Sequence, residues 1–209
     1  MQIVAVEGPC CAGKTTLSSA VIGLLESAER VVCYADFVGG GRNLPDPVPG
    51  TPAEDAASLE RLLDIDEQRF AAVRQAALDL DLSLAVADRS AHTFLAHRRG
   101  VSQLNNLDLY TPAQTIVAGS TKVTWPDLVL YLDTPVPQMQ RRNTGKFPAD
   151  SIFMDPVFNA GFRDHFQQLR HGVEGNRFVW IDGSAARETV LRQAVAALRS
   201  RWPELRWQA

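Results

Sequence analysis

Apolar positions along the chain fall into short continuous runs separated by stretches with helical spacing. Five runs have the length and β-branched content of strands: residues 2–7 (QIVAVE), 31–35 (VVCYA), the LSLAVADRS stretch ending near Asp88, 127–133 (DLVLYLD) and 177–182 (RFVWID). The fourth is apolar on both faces, as a strand inside a parallel sheet must be. Between the runs, Leu17, Val21, Leu24 and Leu25 recur at helical spacing, as do Leu59, Leu62, Leu63, Phe70, Val73, Ala77 and Leu80 within 53–80. Further helices are expected near 90–98, 111–120, 134–142 and 156–171. A last one carries Leu191, Val195 and Leu198, with Ser184 as its cap. Strand and helix alternate throughout, which predicts an α/β fold with a parallel five-stranded sheet flanked by helices.

Residues 38–52 (VGGGRNLPDPVPGTP) are dense in Gly and Pro and form a loop, and a loop of this length in a compact domain is more often functional than idle. No repeat, low-complexity tract or interdomain linker interrupts residues 1–209, so one domain is expected. The 45% hydrophobic and 22% charged composition is globular, and a net charge of -3 gives no reason to expect nucleic acid or an anionic membrane as partner. Cys10, Cys11 and Cys33 make neither a disulfide framework nor a zinc spacing. Reduced thiols, no leader-like N-terminus and no span-length apolar run point to a soluble, cytoplasmic protein. Trp202 and Trp207 pack either on the domain or on a partner.

The chemistry enters with VEGPCCAGKTTL. Gly8, four residues, then Gly13-Lys14-Thr15 make G-x-x-x-x-G-K-[ST], between an apolar strand and an amphipathic helix. Glycines let backbone amides turn inward around a phosphate, and the helix N-terminus adds partial positive charge. Gly8, Cys10, Cys11, Ala12, Gly13, Lys14, Thr15 and Thr16 are therefore the candidate nucleotide-binding residues. Lys14 is expected at the β- and γ-phosphates and Thr15 on Mg²⁺. Cys10 and Cys11 occupy the variable positions, where backbone carries the chemistry; Cys10 is either a small filler or a partly reactive thiol. The third strand ends Asp88-Arg89-Ser90 and the fifth Asp182-Gly183-Ser184, so the guanine-reading N-K-x-D and the D-x-x-G of GTPases do not stand after those strands.

VEGPCCAGKTTL, AVADRS, WPDLVLYLDTP and QRRNTGKF, in this order and spacing, resemble the thymidylate kinase and deoxynucleoside kinase group of P-loop kinases over nearly the whole chain. The resemblance implies a P-loop NTPase fold with a short lid at about 141–150, ATP and Mg²⁺ as cofactors, and a nucleoside or nucleoside monophosphate as phosphoryl acceptor. It implies Asp88 acting on Mg²⁺ through water, Arg89 on the acceptor or the transferred phosphoryl, and Arg141, Arg142 and Lys146 in the lid. It also suggests a homodimer. Asp36, after the second strand, is either the general base or a loop aspartate. Arg69 and Gln68 sit where related enzymes hold the acceptor; Phe37 and Phe70 serve either a ring or the core. The family's arginine before the acid is missing from Ala35-Asp36-Phe37-Val38-Gly39-Gly40-Gly41-Arg42. Two alternatives stay open: a phosphotransferase acting on a hydroxyl of another small molecule such as an antibiotic, and a non-catalytic nucleotide-binding regulatory module.

Overall fold

The computed structural model describes residues 1–25, 31–34, 44–80, 82–172 and 175–208, with backbone alone for 31–34 and for Leu80. The strands are β1 (Gln2–Glu7), β2 (Val31–Tyr34), β3 (Leu84–Asp88), β4 (Leu128–Asp133) and β5 (Phe178–Asp182). The helices are α1 (Lys14–Gly23), α2 (Pro52–Leu80), α3 (Ala91–Asn105), α4 (Tyr110–Gly119), α5 (Val136–Arg142), α6 (Pro156–His171) and α7 (Arg187–Arg201). The strands are parallel in the order β2-β3-β1-β4-β5, and the four from β3 to β5 have described side chains. β1 is therefore central, with β3 on one side and β4 on the other. The loops leaving the carboxyl ends of β1 and β3 emerge side by side, at the place where open parallel sheets bind ligands.

Strand alternation divides the core. Val4, Val6, Leu84, Val86, Leu128, Leu130 and Leu132 pack with Leu17 and Val21 of α1 and Ala194 and Leu198 of α7. The opposite face carries small residues, Ala5, Ala85 and Ala87, against which Phe70 and Val73 of α2 close. Further along that face Val129 and Tyr131 meet Phe158, Phe162 and Phe166 of α6. Phe70 is thus a core residue, 1% exposed, and Gln68 is exposed.

The helix starts are written locally. Thr51 Oγ1 accepts from Glu54 N at 3.2 Å while Glu54 Oε2 accepts from Gly50 N at 2.9 Å, a capping-box arrangement ahead of Pro52. Asp155 caps α6, its Oδ1 accepting from Val157 N at 2.7 Å and Phe158 N at 3.1 Å. Ser184 does not cap the last helix. Its hydroxyl and amide both bond Asp182 Oδ1, and α7 begins after Ala186 without a side-chain cap. The C-terminal segment packs on its own chain: Trp202 and Leu205 join the α1–α7 core, Trp207 bridges Leu25, and Gln208 N donates to Leu24 O at 2.8 Å.

Two glycines set the α3–α6 crossing, which the hydrophobic pattern does not reveal. A Cβ on Gly100 would lie 2.7 Å from Phe158 O, and one on Gly161 would lie 2.8 Å from Arg99 O. Beside that crossing His92 and His165 are buried, their rings 5.7 Å apart, and His165 Nδ1 lies 2.9 Å from Tyr110 Oη. Burial lowers His92 to about 3 and holds His165 well below its ordinary value, with His92 and Arg99 adding repulsion. Both are neutral in the folded protein.

Gly100→Ala and Gly161→Ala should each cost about 1–3 kcal/mol by overpacking, read from denaturant midpoints. The unfolded chain binds protons on these histidines below about pH 6.5 and the folded chain does not. Stability present above pH 6.5 is therefore expected to fall on acidification from pH 7.5 to 6. Asp66, raised to about 6, contributes with the opposite sign from the acid end of that window downward, while His97, lowered to about 3, adds to the histidine effect. A flat stability profile across it would contradict the burial of neutral imidazoles.

Candidate active site

β1 ends in a turn that only glycine permits at its first residue. Gly8 has φ 142°, and a Cβ there would lie 2.7 Å from Leu132 O on the neighbouring strand. Cys11 (φ 59°) and Gly13 (φ 101°) are left-handed as well, and Gly13 immediately precedes the first turn of α1. The loop between them wraps over the helix N-terminus, the arrangement that gathers amides around an anion. Lys14 is buried and its Nζ donates to Pro9 O at 2.8 Å, across the loop.

The neighbouring turn, after β3, completes the arrangement. Thr15 Oγ1 donates to Asp88 Oδ2 at 2.6 Å, and Asp88 Oδ1 is buried without a hydrogen-bond partner among the described residues. A hydroxyl beside a carboxylate with an unused oxygen fits Mg²⁺, which takes one or two protein oxygens and completes its shell with phosphates and water. That economy explains why no group of three or more acidic, His or Cys ligands stands among the described residues. Arg89 adopts φ 73°, and its guanidinium reaches back over the loop to Gly8 O at 3.4 Å and Cys10 Sγ at 3.6 Å.

Two buried carboxylates hold that turn from behind. Glu7 accepts from Ser90 N and Ser90 Oγ, each at 2.7 Å, and from Thr93 Oγ1 at 2.6 Å. Burial raises its pKa; those donors and Arg89 oppose the rise. From α2, Arg69 pairs with Asp66 at 2.9 Å and donates to Asp88 O at 3.3 Å and Arg89 O at 3.5 Å. Burial raises Asp66 to about 6 against the pull of Arg69. Neither Glu7 nor Asp66 stood out in the sequence. Glu7 precedes the glycine motif directly, and that adjacency was the available signal.

A cavity of about 760 Å³ opens in front of this framework. One end is cationic, lined by Lys14, Arg89, Arg142, Lys146 and Arg187 together with Pro9–Leu17. The other is walled by Leu62, Phe94, Phe153, Phe158 and Phe162 and by Pro45, Pro47 and Pro49 from the proline-rich loop. Arg142 Nη1 donates to Ala12 O at 3.0 Å, so α5 already touches the phosphate loop. The following turn is clipped by Asn143, whose side chain accepts from Phe147 N at 3.0 Å and donates to Phe147 O at 2.8 Å. That clip sets Thr144, Lys146 and Phe147 on the cavity wall.

The structure thus brings together Gly8, Cys10, Cys11, Ala12, Gly13, Lys14, Thr15, Thr16, Asp88, Arg89 and Arg142. Arg141, one residue earlier on a short helix, is exposed, bonds Gln138 Oε1 and does not line the cavity. Arg69, expected to hold an acceptor, is buried behind the turn and is likewise not on the cavity wall. Asp36, Phe37 and Arg42 lie outside the described residues.

No family model matches the chain. It is 29% identical, over 218 aligned residues, to thymidylate kinases of Xanthomonas campestris pv. campestris strains B100 and 8004, covering 95% of this chain and 85% of each relative. Among solved structures it matches deoxyadenosine kinase from M. mycoides, with products dCMP and a flexible dCDP bound, at TM-score 0.69. It matches the same enzyme with bound dATP at 0.68. Both are 15% identical, and each alignment covers 95% of this chain and 100% of the other. In sequence the chain resembles thymidylate kinases, and its fold is like that of deoxyadenosine kinase.

Removing the Glu7 carboxylate should leave two buried donors of Ser90 and a part-buried one of Thr93 without an acceptor. Glu7→Ala is expected to cost about 3 kcal/mol or more in denaturant unfolding, and Glu7→Gln less, because an amide oxygen still accepts. Equal stability of Glu7→Ala and the parent would show that the turn is held elsewhere.

Proposed function

We propose that this chain is an ATP-dependent kinase that transfers the γ-phosphoryl group to a nucleoside or nucleoside monophosphate. One observation carries the reading: a single cavity is lined both by the cationic phosphate loop with Arg89 and by apolar, aromatic side chains. A phosphoryl donor and a ring-bearing acceptor could share it. The likeness to thymidylate kinases and to the fold of deoxyadenosine kinase supports it.

Lys14 and the loop amides would bind the β- and γ-phosphates. Mg²⁺, when bound, supplies charge neutralisation between phosphate oxygens, and Thr15 and Asp88 would hold it. Arg89 and Arg142 would face the charge that spreads over the equatorial oxygens during transfer. Segment 141–150 would act as a lid that excludes water, the competing acceptor. Asp36, at the carboxyl end of β2 by sequence, is the proposed base where the acceptor is a neutral hydroxyl.

The test is ADP release with Mg-ATP across nucleosides, nucleoside monophosphates and other small alcohols, each against a blank without acceptor. Strong stimulation by one nucleoside or nucleotide is expected, and Lys14→Ala should reduce it by about 10²-fold or more. Tight ATP binding without stimulation by any nucleoside or nucleotide would overturn the assignment of the acceptor.

A further inference from the structure

Phe153 stands where two parts of the cavity wall meet. It lies on the single turn Ile152–Met154, between segment 141–150 and α6. Its backbone is tied on both sides: Ser151 Oγ accepts from Phe153 N at 3.4 Å, and Asn159 Nδ2, from α6, donates to Phe153 O at 3.0 Å. The ring packs 5.2 Å from Phe147 and 5.8 Å from Phe158, centroid to centroid. Phe147 belongs to the turn that follows α5, and Phe158 to the aromatic cluster of α6. Val48 of the proline-rich loop rests on that same cluster, while Leu44 rests on the separate cluster of α2, α3 and α4. The loop is therefore a strap pinned at two points, and Pro45, Asp46 and Pro47 between them line the cavity.

The other end of this path is the phosphate loop. Arg142 donates to Ala12 O, and Lys146 lies over the Phe147 ring, its Nζ 5.4 Å from the centroid. Both cations line the cavity beside the loop whose amides gather an anion. A polyphosphate drawn into that loop attracts Arg142 and Lys146. The Asn143 clip carries the pull to Phe147, because it bonds the amide and the carbonyl of that residue alike. We infer that Phe153 is a positioning residue that couples the two walls. A nucleoside triphosphate seated on the phosphate loop presses Phe147 onto Phe153 and, through the α6 cluster, orders the strap at 44–50. The inference rests on the kinase reading and goes beyond it by joining donor occupancy to closure of the proline-rich wall. The packing makes the coupling physical: a close-packed interior passes a displacement on rather than absorbing it. Its consequence is order of assembly. The strap is set once the phosphoryl donor is in place, so water is excluded before transfer.

Hydrogen exchange read by mass spectrometry on the full chain tests this with a non-hydrolysable ATP analogue and Mg²⁺, and needs no acceptor. Each protein is scored by the ratio of its exchange rates without and with the analogue. In the parent, residues 8–16 and 141–150 should slow, and peptides covering 44–50 should slow by about 5-fold or more. In Phe153→Ala, protection at 8–16 should persist while the ratio at 44–50 falls toward one. Phe153→Tyr keeps the ring and should restore it. Val48→Ala loosens the strap's own contact without touching the turn of Phe153 and should lose the 44–50 ratio in the same way, so it decides the matter if Phe153→Ala does not fold. A strap protected equally in parent and folded variants, or left unprotected in the parent while 8–16 slows, would overturn the coupling. No protection at 8–16 would overturn the ATP reading and the coupling with it.

Discussion

Glu7 is a carboxyl group removed from water at the centre of the sheet, and the site is organised around satisfying it. Its two oxygens take three donors, two from Ser90 and one from Thr93. Those donors belong to the first turn of α3 and to the residue that caps it. The carboxylate at the end of β1 therefore fixes where α3 begins after β3. Gly8 follows it directly, pressed against Leu132 O, so the chain turns away at once. Both loops are thereby set relative to each other before any ligand arrives, and Thr15 and Asp88 meet at 2.6 Å although 73 residues separate them.

The same arrangement explains the strain at Arg89. A left-handed arginine costs backbone energy and persists only where the surroundings over-determine it. Here Arg89 N is held by Val6 O, its carbonyl by Arg69, and its successor by Glu7. The outcome is a guanidinium laid across the phosphate loop at Gly8 and Cys10, on the cavity wall. The cationic end then holds what needs charge and the apolar end what needs shape, so opposite chemistries share one cavity.

How much of this was legible in the sequence follows from how local each feature is. The phosphate loop, the strand runs and α6 are contiguous patterns, and their bounds were readable to within a residue or two. Asp88 and Arg89 were singled out by the resemblance of AVADRS to a kinase motif, and the structure sets them beside the loop. Arg141 and Arg142 are neighbours in sequence, but about 100° of helix separates them, and only Arg142 faces Ala12. Arg69 was placed on the right helix but on the wrong side of the turn, since nothing in DEQRF says that Asp66 and two carbonyls will claim its guanidinium. Gly100 and Gly161 depend on how α3 and α6 cross, and no single window of the chain contains that information.

That crossing also shapes the apolar part of the cavity wall. The phosphate end is built from backbone amides and from side chains at strand ends, held by the sheet itself. Exchanging Cys10, Cys11 or Ala12 for other small residues would change little of what an anion meets there. The rest of the cavity wall is built from side chains of three helices and a proline-rich loop, and of these α3 is anchored to the sheet through Glu7. A fold of this kind states its reaction in the loops after β1 and β3 and its substrate in the faces of α2, α3 and α6.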